Sequence, residues 1–324
     1  MTQQNQKTSQ TQEGIRQLSI SRGRMLNLDR ILVPLNGYRR SEQILPYASM
    51  LADWFNGEIT LFHSLPNTHP ARGARPGQVQ YPDAPHDRGT SLATAYLEEV
   101  VSRLGPHGIK SRWGIATGDA AQMITSRSST SAFGLIATAI TVRSRTHRFF
   151  SHGLLENLWR KTCAPLLIVN PNNTIPNNEP PNAPKSIIVP WRKDSGDFAI
   201  PIAIALAGAS RSNIKIVIGK STPPEQAKAS FVDAFDSDQI DLEIIKPEKN
   251  FTKSIASLQN NDPGAWIVTR SRMRSGIGRS VFGSMTDSLA REAPGPIVVI
   301  PDPDVINKRK RQIRTAMRDI ATSR

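Results

Sequence analysis

The sequence predicts an α/β fold built twice over: two doubly wound, five-stranded parallel-sheet domains in one chain. Three observations predict it. Short apolar runs rich in β-branched residues alternate with segments of helical periodicity. The first and last runs of this series occur in two copies. The chain has 324 residues, enough for two domains that each bury a core.

The copies are plain to read. Arg30-Ile31-Leu32-Val33-Pro34 returns as Ser186-Ile187-Ile188-Val189-Pro190, and Pro165-Leu166-Leu167-Ile168-Val169 returns as Pro296-Ile297-Val298-Val299-Ile300. Each run has the character of a strand buried on both faces. Val33 to Pro165 spans 132 residues and Val189 to Pro296 spans 107. The excess falls largely in Pro66–Gly89, a Pro/Gly/His/Arg stretch without periodicity that reads as an exposed insertion.

Within the first copy, Ser41–Phe55 is predicted helical, with Ile44, Leu45, Ala48, Leu51, Ala52 and Phe55 on one face and Gly57 ending it. Glu58–His63 is the next strand, and Leu92–Leu104 a helix with Leu92, Ala95, Tyr96, Val100 and Leu104 in register. Ile109–Ala116 is a strand, Asp119 caps a helix over Ala120–Ser126, Phe133–Thr138 is a strand and Gly153–Lys161 a helix. The second copy gives strands at Ile187–Val189, Ile214–Ile218, Ile240–Ile245, Ala265–Thr269 and Ile297–Ile300. Its helices lie near Phe198–Gly208, Pro224–Phe235, Thr252–Gln259 and Ser284–Glu292. Such alternation requires parallel strands, right-handed crossovers and helices on both faces. The domains are placed at 29–171 and 186–302, with 172–185 as a Pro/Asn-rich linker.

The net charge of +14 is uneven, and more than half of the excess sits on residues 1–28, read as a disordered basic tail, and 303–324. Val305–Ile320 spaces Ile306, Ile313, Met317 and Ile320 along one helical face, with six Lys/Arg crowding much of the rest. That helix could track phosphates on nucleic acid or lie on an anionic membrane. It could equally pack on a neighbouring domain, and it has no aromatic anchor. One cysteine, Cys163, the absence of an apolar stretch near the N-terminus and no run long enough to cross a bilayer lead to the expectation of a cytoplasmic protein.

Val33-Pro34-Leu35-Asn36-Gly37 with Ile44-Leu45-Pro46-Tyr47-Ala48, Gly118-Asp119-Ala120-Ala121, and Cys163-Ala164-Pro165 leading into Leu166-Leu167-Ile168-Val169 resemble the opening, middle and closing segments of universal stress proteins. Gly283-Ser284 and Ala293-Pro294-Gly295-Pro296-Ile297-Val298-Val299 resemble them in the second copy. The resemblance implies Rossmann-like layering of the adenine nucleotide alpha hydrolase type and a strand order of 3-2-1-4-5 in each half.

In nucleotide-binding members of that family an acidic residue follows the first strand, and Gly-x2-Gly-x9-Gly-Ser/Thr follows the fourth. The glycines let backbone amides approach phosphates, and the last pair opens a helix whose N-terminus favours anions. Aligned on the closing prolines, the motif positions fall on Ala139, Val142, His152 and Gly153 in the first copy, and on Arg270, Met273, Gly283 and Ser284 in the second. The acidic position falls on Asn36 and on Arg192, with Asp194 two residues later. Side chains at Ala139, Val142, Arg270 and Met273 are expected to block a triphosphate. No cofactor is therefore expected. The alternative is ATP held by the basic loop 270–284 through Arg270, Arg272 and Arg274.

Other chemistry finds no support. No GxGxxG or P-loop is complete, the six histidines form no HxxxH or HExxH pair, and no nucleophile–base arrangement stands out, so neither a metal nor catalysis is expected. His63 reads as a packing or capping residue. The resemblance implies a non-catalytic stress-response protein acting through protein partners. In that family the last strands pair across a two-fold axis, so strands 165–169 and 296–300 could form a pseudo-dimer within one chain or join two chains into a homodimer.

Overall fold

The computed structural model describes residues 26–67, 84–139, 154–170, 181–192, 199–234, 240–247, 250–262, 264–271 and 284–302, together with 304, 306, 307, 309, 311 and 315. The first half contains strands β1 (Arg30–Pro34), β2 (Glu58–Leu65), β3 (Lys110–Thr117), β4 (Leu135–Ala139) and β5 (Leu166–Val169). Its helices are α1 (Leu45–Trp54), α2 (Ala84–Leu104), α3 (Ala120–Thr130) and α4 (Leu154–Lys161), with a single helical turn at Arg39–Glu42. The second half contains β6 (Ser186–Trp191), β7 (Asn213–Ile218), β8 (Leu242–Ile245), β9 (Trp266–Arg270) and β10 (Ile297–Ile300). Its helices are α5 (Ile200–Ser210), α6 (Pro224–Ala234), α7 (Phe251–Asn261) and α8 (Ser284–Glu292).

All ten strands belong to one sheet, ordered β3-β2-β1-β4-β5-β10-β9-β6-β7-β8. Each half has the order 3-2-1-4-5, and every pairing within a half is parallel. The halves meet where β5 and β10 pair antiparallel, with Ile168 opposite Ile297, Leu167 opposite Val298 and Leu166 opposite Val299. The second half therefore follows the first in reverse order across the seam.

Side-chain alternation along the strands fills two helical layers. Ile31, Val33, Leu61, Val189, Ile216 and Val268 pack with α1, α2, α5 and α6. Leu32, Ile136, Ile168, Ile188, Ile267 and Val299 pack with α3, α4, α7 and α8. Both layers contain residues of both halves, so the seam is buried on each side. α5 is apolar almost throughout and buried from Ile200 to Gly208 except at Pro201, as a helix with neighbours on several sides must be.

Four local expectations need correction. The helix proposed over Ser41–Phe55 is broken: a turn ends at Glu42 and α1 starts at Leu45. Pro46 has no N–H to donate to the Glu42 carbonyl, so it is tolerated only in the first turn of a new helix. Its apolar face is the one expected, with Ile44, Leu45, Ala48, Leu51, Ala52 and Phe55 all buried. α2 starts at Ala84, inside the stretch assigned to the insertion, and it faces the core with Ala93, Leu97, Val100 and Leu104. Leu92 is 67% exposed and Ala95 is exposed, so the helical phase differs from the one proposed.

Gly57 also has a different role. The left-handed residue ending α1 is Asn56, at φ +48°. Asn56 N–H donates to Asp53 O and Gly57 N–H to Ala52 O, which closes a Schellman motif. Gly57 is needed because a Cβ there would collide with the Asp29 carbonyl oxygen. Asp119 caps α3 as expected, its carboxylate accepting from Gln122 N–H at 2.9 Å.

Candidate functional site

In a doubly wound sheet, the strand order reverses beside the first strand, and the crevice at the carboxyl ends of the strands there can hold a ligand. In this chain the two such places lie between β1 and β4 and between β6 and β9.

In the first half the chain leaves β1 through Leu35, whose N–H donates to Phe62 O at 2.9 Å. His63 Nδ1 donates to Leu35 O at 2.8 Å, so this histidine braces the turn, in keeping with a capping role. Asn36, at the position of the family's acidic residue, is exposed, and its Oδ1 accepts from Tyr38 N–H at 3.1 Å in an Asx turn. Asn36 N–H donates to Ser41 Oγ at 3.3 Å, and Ser41 Oγ donates to Tyr38 O at 2.8 Å. Gly37 has φ +82° and open space around its Cα. Tyr38, Arg39 and Arg40 face solvent. Across the crevice, Ala139 is the last residue of β4, and its methyl group packs into the core beside α1. Val142, His152 and Gly153 lie outside the described residues.

In the second half β6 ends on Trp191, which is buried, and Arg192, which is exposed. The Arg192 guanidinium carbon stands 4.9 Å from the centroid of the Phe251 ring at the start of α7, a cation–π contact. Arg270 closes β9. Its Nη2 donates to Asp302 Oδ2 at 2.5 Å, and the two side chains are only 13% and 15% exposed. Ser271 is buried, and its N–H donates to Ile300 O at 2.9 Å. Ser284 opens α8. Asp194, Arg272, Met273, Arg274 and Gly283 lie outside the described residues. The structure therefore brings Arg192 and Arg270 to the two strands flanking one crevice, each guanidinium already engaged by a side chain of the same chain.

Asp302 was not among the residues singled out from sequence. Its Oδ1 accepts from Asp304 N–H at 2.9 Å and its carbonyl from Ile306 N–H at 2.9 Å, so it is the N-cap of a C-terminal helical segment. An acid directly ahead of an amphipathic run is a readable cap signal. Its pairing with Arg270, 32 residues away, is not. The same segment carries Arg309, which is 7% exposed and donates through Nη1 to the Thr162 carbonyl of the first half. Burial lowers its pKa, and the neighbouring Cys163 opposes that shift. Among the described residues no group of three His, Cys, Asp or Glu could hold a metal ion, and no helix is long and apolar enough to cross a membrane.

No protein-family model and no curated protein sequence matches this chain. Solved structures do. A universal stress protein from Archaeoglobus fulgidus DSM 4304 aligns with a TM-score of 0.67 at 16% identity, covering 84% of this chain and 98% of its own. A protein provisionally named as a universal stress protein from Pseudomonas aeruginosa UCBPP-PA14 aligns at 0.58 and 15% identity over 87% of this chain and 96% of its own. A functionally unknown protein from Pseudomonas aeruginosa PAO1 aligns at 0.59 and 14% identity over 90% and 99%. The chain thus has the universal stress protein fold, in a tandem arrangement that these neighbours match over most of its length.

Proposed function

We propose that this chain is a non-catalytic stress-response protein that works as a single-chain pseudo-dimer and acts through protein partners. The observation that carries the reading is the antiparallel pairing of β5 with β10, which joins two sheets of order 3-2-1-4-5 into one. A fold that pairs its last strands within the chain has no need of a second chain at that edge. The state of the crevices supports the non-catalytic part. Asn36 is spent on its own turn, Arg192 on Phe251 and Arg270 on Asp302.

Sedimentation equilibrium tests the assembly: a mass of one chain is expected, and a dimer that dissociates when Val298 is replaced by a charged residue overturns it. Calorimetry with Mg-ATP tests the other half of the reading. No heat at millimolar nucleotide is expected. Binding that disappears in Arg270→Gln would instead favour the ATP-binding alternative in the second half. A third reading, an anion- or nucleic-acid-responsive adaptor using residues 303–324, loses ground because Arg309 is spent on a contact with the first half. Deleting that segment would leave such binding intact only if the tail took no part in it.

A further inference from the structure

We propose that the C-terminal segment is a built-in blocker of oxyanion binding at the carboxyl end of β9, with the Asp302 carboxylate occupying the guanidinium that a phosphate group would take. This deepens the reading above, since it rests on the second crevice being closed in the resting chain.

Arg270 stands at the end of β9, where the strand order reverses and a crevice opens. A guanidinium keeps its proton under all ordinary conditions, and a largely buried one without an anion is costly. Asp302 meets that demand at 2.5 Å. A phosphate oxygen offers the same charge and accepts from the same planar fork, so the two compete for one position.

Asp302 is also tied to the segment that follows it. One carboxylate oxygen caps the helix through Asp304 N–H, and the carbonyl accepts from Ile306 N–H. Further along, Arg309 reaches the Thr162 carbonyl at the end of α4, in the first half. The carboxylate therefore cannot leave Arg270 without loosening the first turn of a helical segment that also contacts the first half through Arg309. Occupation of the β9 end by an oxyanion and seating of the tail on the first half are linked, and each disfavours the other.

The test uses the full chain and inorganic pyrophosphate as the probe. Asp302→Asn removes the competing charge yet keeps an N-cap side chain, and Asp302→Ser does the same should the first variant fold poorly. Titration calorimetry is expected to show pyrophosphate bound about tenfold or more tightly by either variant than by the parent chain, the range set by one charge-assisted hydrogen bond. Adding Arg270→Gln to the variant is expected to abolish the gain. Equal affinity in parent and variants, no binding in any of them, or a gain that survives Arg270→Gln overturns the proposal. Those results leave the assembly reading untouched, because that reading stands or falls on the sedimentation mass.

Discussion

Trp54 on α1 of the first half lies 5.7 Å, centroid to centroid, from Trp266 on β9 of the second. Tyr47, about two turns earlier on the same helix, lies 6.1 Å from the same indole. Trp266 is almost wholly buried, and its ring sits where helix and strand of different halves meet. The seam is therefore held by more than the main-chain bonds of β5 and β10.

Trp266→Ala is expected to destabilise the chain by about 3–5 kcal/mol, the usual cost of emptying a large aromatic site. Urea unfolding followed by circular dichroism measures it. Because Trp54 and Trp266 touch, the double variant Trp54→Ala/Trp266→Ala should cost less than the two single changes added together. Strict additivity would show that the two rings do not support one another.

Two glycines are fixed by close backbone approach. A Cβ at Gly57 would collide with Asp29 O, and one at Gly134 with Asn27 O, both in the segment leading into β1. Gly57→Ala and Gly134→Ala are each expected to cost about 1–3 kcal/mol from overpacking. Gly105→Ala, with nothing within 4 Å of the added carbon, should change little. Thermal unfolding of the three variants side by side checks the order.

Stability should fall on the alkaline side. Burial raises the pKa of Tyr96, helped by the Glu42 carboxylate that accepts its hydroxyl at 3.0 Å, and burial alone raises that of Tyr47. A phenol whose pKa is higher in the folded chain stabilises it fully below the unfolded value, near pH 10, and that contribution is lost as pH rises beyond it. Unfolding midpoints measured from pH 8 upwards should drop past that point. A Tyr47→Phe/Tyr96→Phe variant should show a shallower drop, and an equal slope would exclude these two groups as the cause.

Gln259, fully buried at the end of α7, donates through Nε2 to Ala265 O at 2.7 Å and to Pro296 O at 3.2 Å, staples that hold the starts of β9 and β10 together. Gln259→Leu takes this donor from Ala265 O and one of two donors from Pro296 O, and is expected to cost about 1–3 kcal/mol. Hydrogen exchange at Ile267, whose N–H also donates to Pro296 O, should quicken in the variant.

Much of the fold was legible because it is written in neighbours. Apolar runs such as Ile187–Val189 and Ile297–Ile300 announce buried strands, and Asp119 announces the helix it caps. The errors came where a single residue overrides a period. Pro46 divides a helix that Ile44 and Ala48 suggest is continuous, and α2 turns Leu92 outward because Leu97 and Val100 claim the core face. The candidate site was less legible. Arg270 could be found by counting from the closing prolines and Arg192 as the position after the first strand of the second copy, but Asp302 and Phe251, which occupy them, could not.

The sequence by itself determined the repeating alternation of strand and helix, the placement of most elements and the positions flanking each crevice, since periodicity and capping act over a few residues. Tertiary structure alone decided that β10 lies antiparallel to β5, that Trp266 rests on Trp54, and that Asp302 and Arg309 tie the tail to both halves. These contacts join residues far apart in the chain. They form only after the two sheets have come together, so no local pattern records them.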